Sequence, residues 1–162
     1  MSNSSFRIGF GIDTHQLKEG LPLVVGGVTI PSEKGAVGHS DADALLHAIC
    51  DAILGAANLR DIGHHFPDTD PQYKGIDSKI LLEKSYELVK EKGYILGNLD
   101  STIMLEEPKM NPHIPDMQMA IASIFKCSTD QISIKATRGE KMGPVGEGKA
   151  IKCYVNALIH SA

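Results

Sequence analysis

The first segment of the chain alternates large apolar residues with small or polar ones. Between residues 6 and 12, the large apolar side chains stand at every even position: Phe6, Ile8, Phe10 and Ile12. A period of two is typical of a half-buried strand, and it places Asp13 and His15 on the opposite face. Residues 23–30 predict two short strands around the Gly26-Gly27 turn, and residues 35–38 predict a loop.

After residue 39, the apolar residues recur every three or four positions, which predicts helices. The first helix is expected over residues 40–57, with Ser40 and Asp43 in a capping arrangement. Residues 58–73 are rich in Asp, His, Gly and Pro and predict a long irregular loop. The later predicted elements are helices over residues 78–92 and 112–126, and strands over residues 98–105, 131–137 and 150–159.

This order of elements predicts one domain of the α/β (α+β) class over residues 1–162. We expect a two-layer sandwich, in which a mixed or largely antiparallel sheet carries helices on one face. A chain of 162 residues with 42% hydrophobic content is long enough for one core and too short for two independent domains.

Composition narrows the classes of partner. A net charge of -4 and an aromatic content of 5% argue against a basic groove for nucleic acid. Cys50, Cys127 and Cys153 form no C-x-x-C pair, which indicates reduced thiols. The sequence contains no apolar run of about 18 residues, and residues 1–6 are mostly polar and lack the charged-then-apolar pattern of a signal sequence. We therefore expect no membrane partner and a cytoplasmic, bacterial location, with a processed plastid protein as the alternative.

Asp13, His15 and His47 are the strongest candidate site. Asp13 and His15 are two residues apart on or just after a strand, so both can point to one face. His47 lies on the predicted first helix and can complete a three-ligand site. One carboxylate with two imidazoles suits a catalytic Zn²⁺ or Mn²⁺ that keeps an open coordination position. Asp43 or Asp51 can accept the other imidazole N–H of His47. The alternative is that these aspartates only form salt bridges with His47.

Three further segments are candidates for binding phosphate or a polar substrate. His39 and Ser40 stand at the predicted helix N-terminus, where free N–H groups attract anions, although Ser40 also suits an ordinary cap. Residues 60–71 are dense in ionisable groups and predict a lid, a second metal site or a solvated loop. Residues 135–141 can cradle a phosphate, and Glu140 can hold a second cation. Neither a P-loop nor a Rossmann fingerprint occurs in the sequence.

Together these segments resemble the 2-C-methyl-D-erythritol 2,4-cyclodiphosphate synthase family. The matching motifs are GIDTH at residues 11–15, HSDAD at 39–43, HA at 47–48, LGA at 54–56, DIG at 61–63, FPDTDP at 66–71, PKM at 108–110 and KAT at 135–137. The resemblance implies a homotrimer with active sites between subunits. It also implies conversion of 4-diphosphocytidyl-2-C-methyl-D-erythritol 2-phosphate to the cyclic diphosphate, with release of CMP, in non-mevalonate isoprenoid precursor synthesis.

The resemblance further implies residue roles. Asp13, His15 and His47 would bind the zinc-like ion, and a second ion, Mg²⁺ or Mn²⁺, would lie with the substrate phosphates near Glu140. His39, Arg138 and Glu140 would take part in catalysis. The cytidine-diphosphate-linked substrate would be contacted by Asp13, Thr14, His15, His39, Ser40, Asp61, Ile62, Gly63, Phe66, Pro67, Asp68, Thr69, Asp70, Leu105, Lys109, Met110, Asn111, Ala136, Thr137, Arg138, Gly139 and Glu140.

The sequence departs from the family pattern in its Gly-rich segment. Arg138 stands where the family usually has a second Thr, and Glu147 and Lys149 stand in a G-E-G-K run where G-R-G-E is common. In this family, the corresponding segment caps a central cavity of the trimer, which can hold an isoprenoid diphosphate. The exchange of Arg for Glu and of Glu for Lys puts that cap in question for this chain. Two rival functions stay open. One is a metal-dependent phosphohydrolase that uses water, and the other is a catalytically silent nucleotide-binding or structural trimer.

Overall fold

A computed structural model describes residues 5–162, so the first four residues of the polar start lie outside the described residues. The strands are β1 Phe6–Glu19, β2 Leu23–Val25, β3 Val28–Ile30, β4 Lys34–Ala36, β5 Tyr94–Met104, β6 Ile132–Thr137 and β7 Ala150–Ser161. The α-helices are α1 Ala44–Ala56, α2 Ile62–His65, α3 Ser78–Glu91, α4 Ile114–Phe125 and α5 Gly143–Gly146. Within residues 5–162, no helix combines the length and the apolar character needed to cross a membrane.

The main sheet is mixed, as predicted. Its strand order is β4-β1-β7-β5-β6, and every neighbouring pair is antiparallel except β5 and β6. Helix α1 packs on β1 and β7, α4 packs on β6, and α3 packs on α1 and β5. β2 and β3 pair as a separate hairpin that turns at Gly26-Gly27, where both glycines have positive φ. The predicted α+β sandwich is therefore confirmed.

A glycine seam brings α1 close to β1. A Cβ added to Gly9 would collide with the carbonyl of Ala52, and one added to Gly11 would collide with that of Ala48. The absence of side chains at these two positions lets the helix backbone lie directly on the strand. This close approach places residues of α1 next to the residues that follow Gly11 on β1.

The large apolar side chains of β1 point away from the helices. They are exposed to 68%, 81%, 57% and 43% at Phe6, Ile8, Phe10 and Ile12. The predicted strand is thus present, but in the single chain its apolar face is its exposed face. A contiguous apolar stripe of this kind is typical of an interface.

Several predicted boundaries are wrong. Helix α1 begins at Ala44 instead of Ser40, because Ala42 has a positive φ of 57° and the Asp43 side chain caps the helix by accepting the Leu46 N–H. Ser40 instead accepts the N–H of Ala42. The predicted loop over residues 35–38 overlaps the last two residues of β4, because the long β1 offers this segment a pairing edge. The predicted loop over residues 58–73 contains the short helix α2.

The cysteines are free thiols, as predicted. Cys50 and Cys153 are fully buried, and burial raises the pKa of Cys50 to about 12 and that of Cys153 well above its ordinary value. Cys127 is half-buried. Two of the three thiols are therefore part of the core.

Candidate functional site

Asp13, His15 and His47 converge, as their spacing predicts. Asp13 Oδ2 lies 2.7 Å from His15 Nε2 and 3.2 Å from His47 Nδ1, and the two imidazole nitrogens are 3.2 Å apart. Four tetrahedral ligands bound to zinc at about 2.0–2.1 Å stand roughly 3.3 Å from one another, so two of the three spacings match closely and the third is shorter. Within residues 5–162, this trio is the group whose carboxylate and imidazole atoms can jointly hold a metal ion.

The electrostatics of the trio favour an ionised carboxylate. Burial by itself raises the pKa of Asp13, but hydrogen bonds and charge attraction from His15 and His47 outweigh burial and hold this pKa well below its usual range. Burial likewise lowers the pKa of His15, and the hydrogen bond and charge of Asp13 reverse the effect, so the pKa is raised. Asp13 therefore brings a negative charge to the point where the imidazoles meet.

Each imidazole is oriented by its second nitrogen. His15 Nδ1 lies 2.8 Å from the carbonyl oxygen of Val37, which only accepts hydrogen bonds, so Nδ1 carries a hydrogen and Nε2 is the nitrogen that can bind a metal ion. His47 Nε2 lies 2.9 Å from Ser78 Oγ and 3.1 Å from Ser40 Oγ. Both rings therefore have the second partner that metal-binding histidines need.

The prediction that Asp43 or Asp51 accepts the second N–H of His47 is wrong. The side chain of Asp43 points back to cap α1, and it also accepts the N–H groups of Gly26 and Gly27. Asp51 accepts the N–H of Ile62 and so anchors the start of α2. Burial raises the pKa of both carboxyls, against the lowering effect of these backbone donors.

A cavity of about 370 Å³ opens beside the trio. His39 lies on its wall, and its Nε2 is 3.1 Å from the carbonyl oxygen of Asp70, which ties the wall to the loop beyond α2. The predicted site residues that line this cavity are His15, His39, Ser40, His47, Ile62, Gly63, Phe66 and Asp68. The metal trio and the segment predicted to hold the sugar part of the substrate therefore meet in one place.

The residues predicted to hold the cytidine part line a different cavity. It measures about 220 Å³ and is formed where β5 and β6 end. Arg138 lies on its wall and pairs with Glu107 at 3.3 Å. The predicted site residues in this cavity are Leu105, Lys109, Met110, Asn111, Ala136, Thr137 and Arg138. The two cavities have no lining residue in common.

The remaining predicted site residues are spread over the surface. Thr14 and Gly139 line a third cavity, of about 290 Å³, together with Met142 and Tyr154. Asp61 caps α2 by accepting the N–H of His64. The predicted site residues outside all three cavities are Asp13, Asp61, Pro67, Thr69, Asp70 and Glu140, of which Asp13 belongs to the trio and Glu140 is exposed with φ at 52°.

Ser78 is the site residue that sequence reasoning missed. It is fully buried at the first position of α3, and its hydroxyl contacts both His47 and Asp41. The Asp77-Ser78 pair at a predicted helix start suggests only a helix cap, and Asp77 does cap α3 by accepting the N–H of Lys79. A contact made 31 residues along the chain from His47 leaves no local signal.

Comparison with known proteins adds independent evidence. Residues 6–160 match the model of the YgbB family. The 2-C-methyl-D-erythritol 2,4-cyclodiphosphate synthase of Porphyromonas gingivalis is 59% identical over 157 residues, which is 97% of each chain. The IspF of Plasmodium falciparum, solved as a CDP complex, superposes with a TM-score of 0.86 at 35% identity over 99% of each chain. The bifunctional IspDF of Campylobacter jejuni gives a TM-score of 0.95 at 36% identity over 99% of this chain, which spans 43% of that longer protein.

Proposed function

Because this chain belongs to the YgbB family, we propose that it is a 2-C-methyl-D-erythritol 2,4-cyclodiphosphate synthase, a CMP-releasing lyase of isoprenoid precursor synthesis. The observation that carries the proposal is the convergence of Asp13, His15 and His47 beside a cavity lined by segments predicted to bind the substrate. The relative from P. gingivalis bears this enzyme name, and it aligns with nearly the whole of this chain.

The proposed reaction needs little acid–base chemistry from the protein. A phosphate monoester has a second pKa near 6, so the 2-phosphate of the substrate is already a dianion at neutral pH. One of its oxygens forms a bond to the β-phosphorus, and the bond from that phosphorus to the bridging oxygen of CMP breaks. The chain must therefore bring two anionic groups together and hold them in line.

The trio suits this task in charge and geometry. Asp13, His15 and His47 would hold a Zn²⁺ or Mn²⁺ ion, which when bound would neutralise and orient the diphosphate. His39 and Ser40 lie on the cavity wall next to the trio, where the Ser40 hydroxyl can donate a hydrogen bond to a phosphate oxygen and His39 can contact the phosphate region. We further propose that Glu140 helps to hold a second ion, Mg²⁺ or Mn²⁺, with the substrate phosphates, which an exposed carboxylate beside Gly139 permits.

We also propose that the active protein is a homotrimer whose sites lie between subunits. Two observations support this assembly. The residues predicted to bind the two halves of one substrate line separate cavities, and the apolar stripe Phe6, Ile8, Phe10 and Ile12 is exposed on the outer sheet face. A neighbouring subunit would cover the stripe and bring its nucleotide cavity to the metal cavity. The cytoplasmic location expected from the sequence stays a prediction.

Product analysis by phosphorus NMR tests the proposed function. With 4-diphosphocytidyl-2-C-methyl-D-erythritol 2-phosphate as substrate, we expect a cyclic diphosphate and CMP in equal amounts, and no product after a chelator has removed the metal. Release of inorganic phosphate would instead support the phosphohydrolase. No turnover by the metal-loaded protein would support the silent trimer.

A further inference from the structure

We propose that Asp41 and Ser78 form a hydrogen-bond relay that fixes the tautomer of His47 and leaves its Nδ1 free to bind the metal ion. Asp41 and Ser78 are thus positioning residues, since both act through His47. The inference rests on the proposed function in one respect, namely that the trio holds an ion.

The relay begins at the carboxylate of Asp41. Its Oδ2 accepts the backbone N–H of Ser78 at 2.9 Å, and its Oδ1 accepts both the Ser78 hydroxyl and the backbone N–H of Asp43. Both oxygens of this carboxyl group thus accept a backbone N–H, and acceptance is the role that a carboxylate can take. The Ser78 hydroxyl therefore points its hydrogen at Asp41.

The direction of this bond decides the tautomer of His47. With its hydrogen committed to Asp41, Ser78 Oγ presents only lone pairs to His47 Nε2, 2.9 Å away. Nε2 must then be the protonated nitrogen. With a hydrogen fixed on Nε2, Nδ1 is the nitrogen whose lone pair can go to a metal ion, and Nδ1 is the atom that faces Asp13 and His15.

Ser40 does not set this direction. Its hydroxyl lies 3.1 Å from the same Nε2, but it can rotate either to donate or to accept. Because Ser78 already requires a hydrogen on Nε2, Ser40 must accept as well. Without the relay, Ser40 could donate to Nε2, and the hydrogen would move to Nδ1. There it would block the position that the metal ion needs.

The relay is built into rigid structure. Ser78 is fully buried at the start of α3, and its backbone N–H is held by Asp41. The N–H of Asp41 is in turn held by the carbonyl of Ile76 at 3.1 Å. These bonds hold the turn before α1 against the start of α3. The Ser78 hydroxyl then connects this fixed arrangement to the His47 ring on α1. Losing such an outer partner typically costs 10–100-fold in metal affinity.

The test uses Ser78→Ala, which removes the hydroxyl and keeps the backbone N–H. Ser85→Ala is the matched control, because Ser85 is also fully buried on α3, but its hydroxyl donates to the carbonyl of Leu81 and contacts Cys50 instead of His47. In metal-free protein, ¹⁵N shifts of the His47 ring report the tautomer directly. We expect hydrogen on Nε2 in the wild type and in Ser85→Ala, and a mixture or the opposite tautomer in Ser78→Ala.

Zinc titration of the same proteins provides the second readout. We expect Ser78→Ala to bind zinc roughly 10–100-fold more weakly, Ser85→Ala to bind like the wild type, and Ser78→Thr to recover most of the affinity. Wild-type tautomer and wild-type affinity in Ser78→Ala would overturn the relay. If Ser78→Ala does not fold, Asp41→Asn replaces it, because an amide that donates to Ser78 Oγ would reverse the relay and must alter the ¹⁵N pattern.

The outcomes separate the relay from the proposed function. A protein with the expected tautomers and zinc affinities that makes no cyclic diphosphate would refute the proposed function alone. A protein that makes the cyclic diphosphate while Ser78→Ala leaves the tautomer unchanged would refute the relay alone.

Discussion

The two cavities that would share one substrate are built in opposite ways. In the metal trio, each imidazole is held by a second partner, which is the Val37 carbonyl for His15 and the Ser78 hydroxyl for His47. Around the predicted nucleotide cavity, Arg138 is exposed, and its side chain pairs with Glu107, whose carboxylate is also exposed.

This difference teaches where each part of the function resides. A metal ligand must be fixed within a few tenths of an ångström, which requires buried second partners and a close helix–strand contact. A nucleotide pocket can be completed by the ligand or by a second subunit. Substitutions near the trio should therefore have large effects on metal binding, and substitutions near Arg138 should have small effects on ligand affinity.

The largest expected effect belongs to Asp13→Asn. Replacing the ionised ligand removes the negative charge of the trio and keeps its shape, so we expect zinc binding and CMP release to fall by more than about 100-fold. Metal content and CMP release measure the two losses. Asp100→Asn is the control, since that exposed carboxylate pairs with Lys135 away from the trio. Unchanged CMP release in Asp13→Asn would contradict the role of the trio.

The second-largest effect is expected from a substitution in the glycine seam between α1 and β1. In Gly11→Ala, the new methyl group meets the Ala48 carbonyl, so α1 must shift away from β1 and carry His47 with it. We expect a loss of about 1–3 kcal/mol in the free energy of unfolding and weaker zinc binding. Gly55→Ala, on the same helix with open space around it, should be neutral or slightly stabilising. Denaturant unfolding of both variants tests this, and equal stability of the two would refute the seam.

Much of this organisation is predictable from the sequence, and the parts that are not share a physical cause. The trio is predictable because Asp13 and His15 share a strand face. The start of α1 is not, because the positive φ of Ala42 and the Asp43 cap depend on the contacts of Asp43 with the β2–β3 turn. The relay through Ser78 is equally invisible, since it joins residues that only the folded chain brings together. The outward direction of Phe6 depends on the glycine seam behind it.

Arg138 should have a smaller effect. An exposed arginine whose ion pair with Glu107 is open to solvent contributes little to the fold, and near phosphates it adds one screened positive charge. We expect Arg138→Thr to weaken CDP binding only a few-fold, more at low salt than at high salt, without changing zinc affinity. Glu107→Gln, which frees the arginine, should strengthen CDP binding slightly. Calorimetry can measure both, and a change in zinc affinity would contradict the separation of the two cavities.

The smallest expected effect is the pH dependence due to Asp51, the anchor of α2. Burial raises the pKa of this carboxyl above 3.8, so the folded protein holds the proton more tightly than the unfolded chain does. Its favourable contribution is present below pH 3.8 and is lost as the pH rises through the folded pKa. The free energy of unfolding of the wild type should therefore fall relative to Asp51→Asn between about pH 4 and neutral pH.

Asp100 provides the control of opposite sign for this titration. Its hydrogen bond with Lys135 lowers the pKa of the carboxyl, so its stabilising contribution is present above 3.8 and is lost as the pH falls. Denaturant unfolding should show opposite trends for the two variants, with the difference between wild type and Asp51→Asn changing above about pH 4 and that between wild type and Asp100→Asn changing below it. Parallel trends would refute the assigned causes.

The central claim is that the two cavities form one site across a subunit boundary. Subunit complementation tests this claim most directly. Asp13→Asn would disable the metal cavity, and Thr137→Trp, at an exposed strand end, would fill the nucleotide cavity. Each variant alone should be inactive, and refolding the two together should restore CMP release, because some sites would then combine two intact halves. Mixed trimers that form and remain inactive would contradict the account.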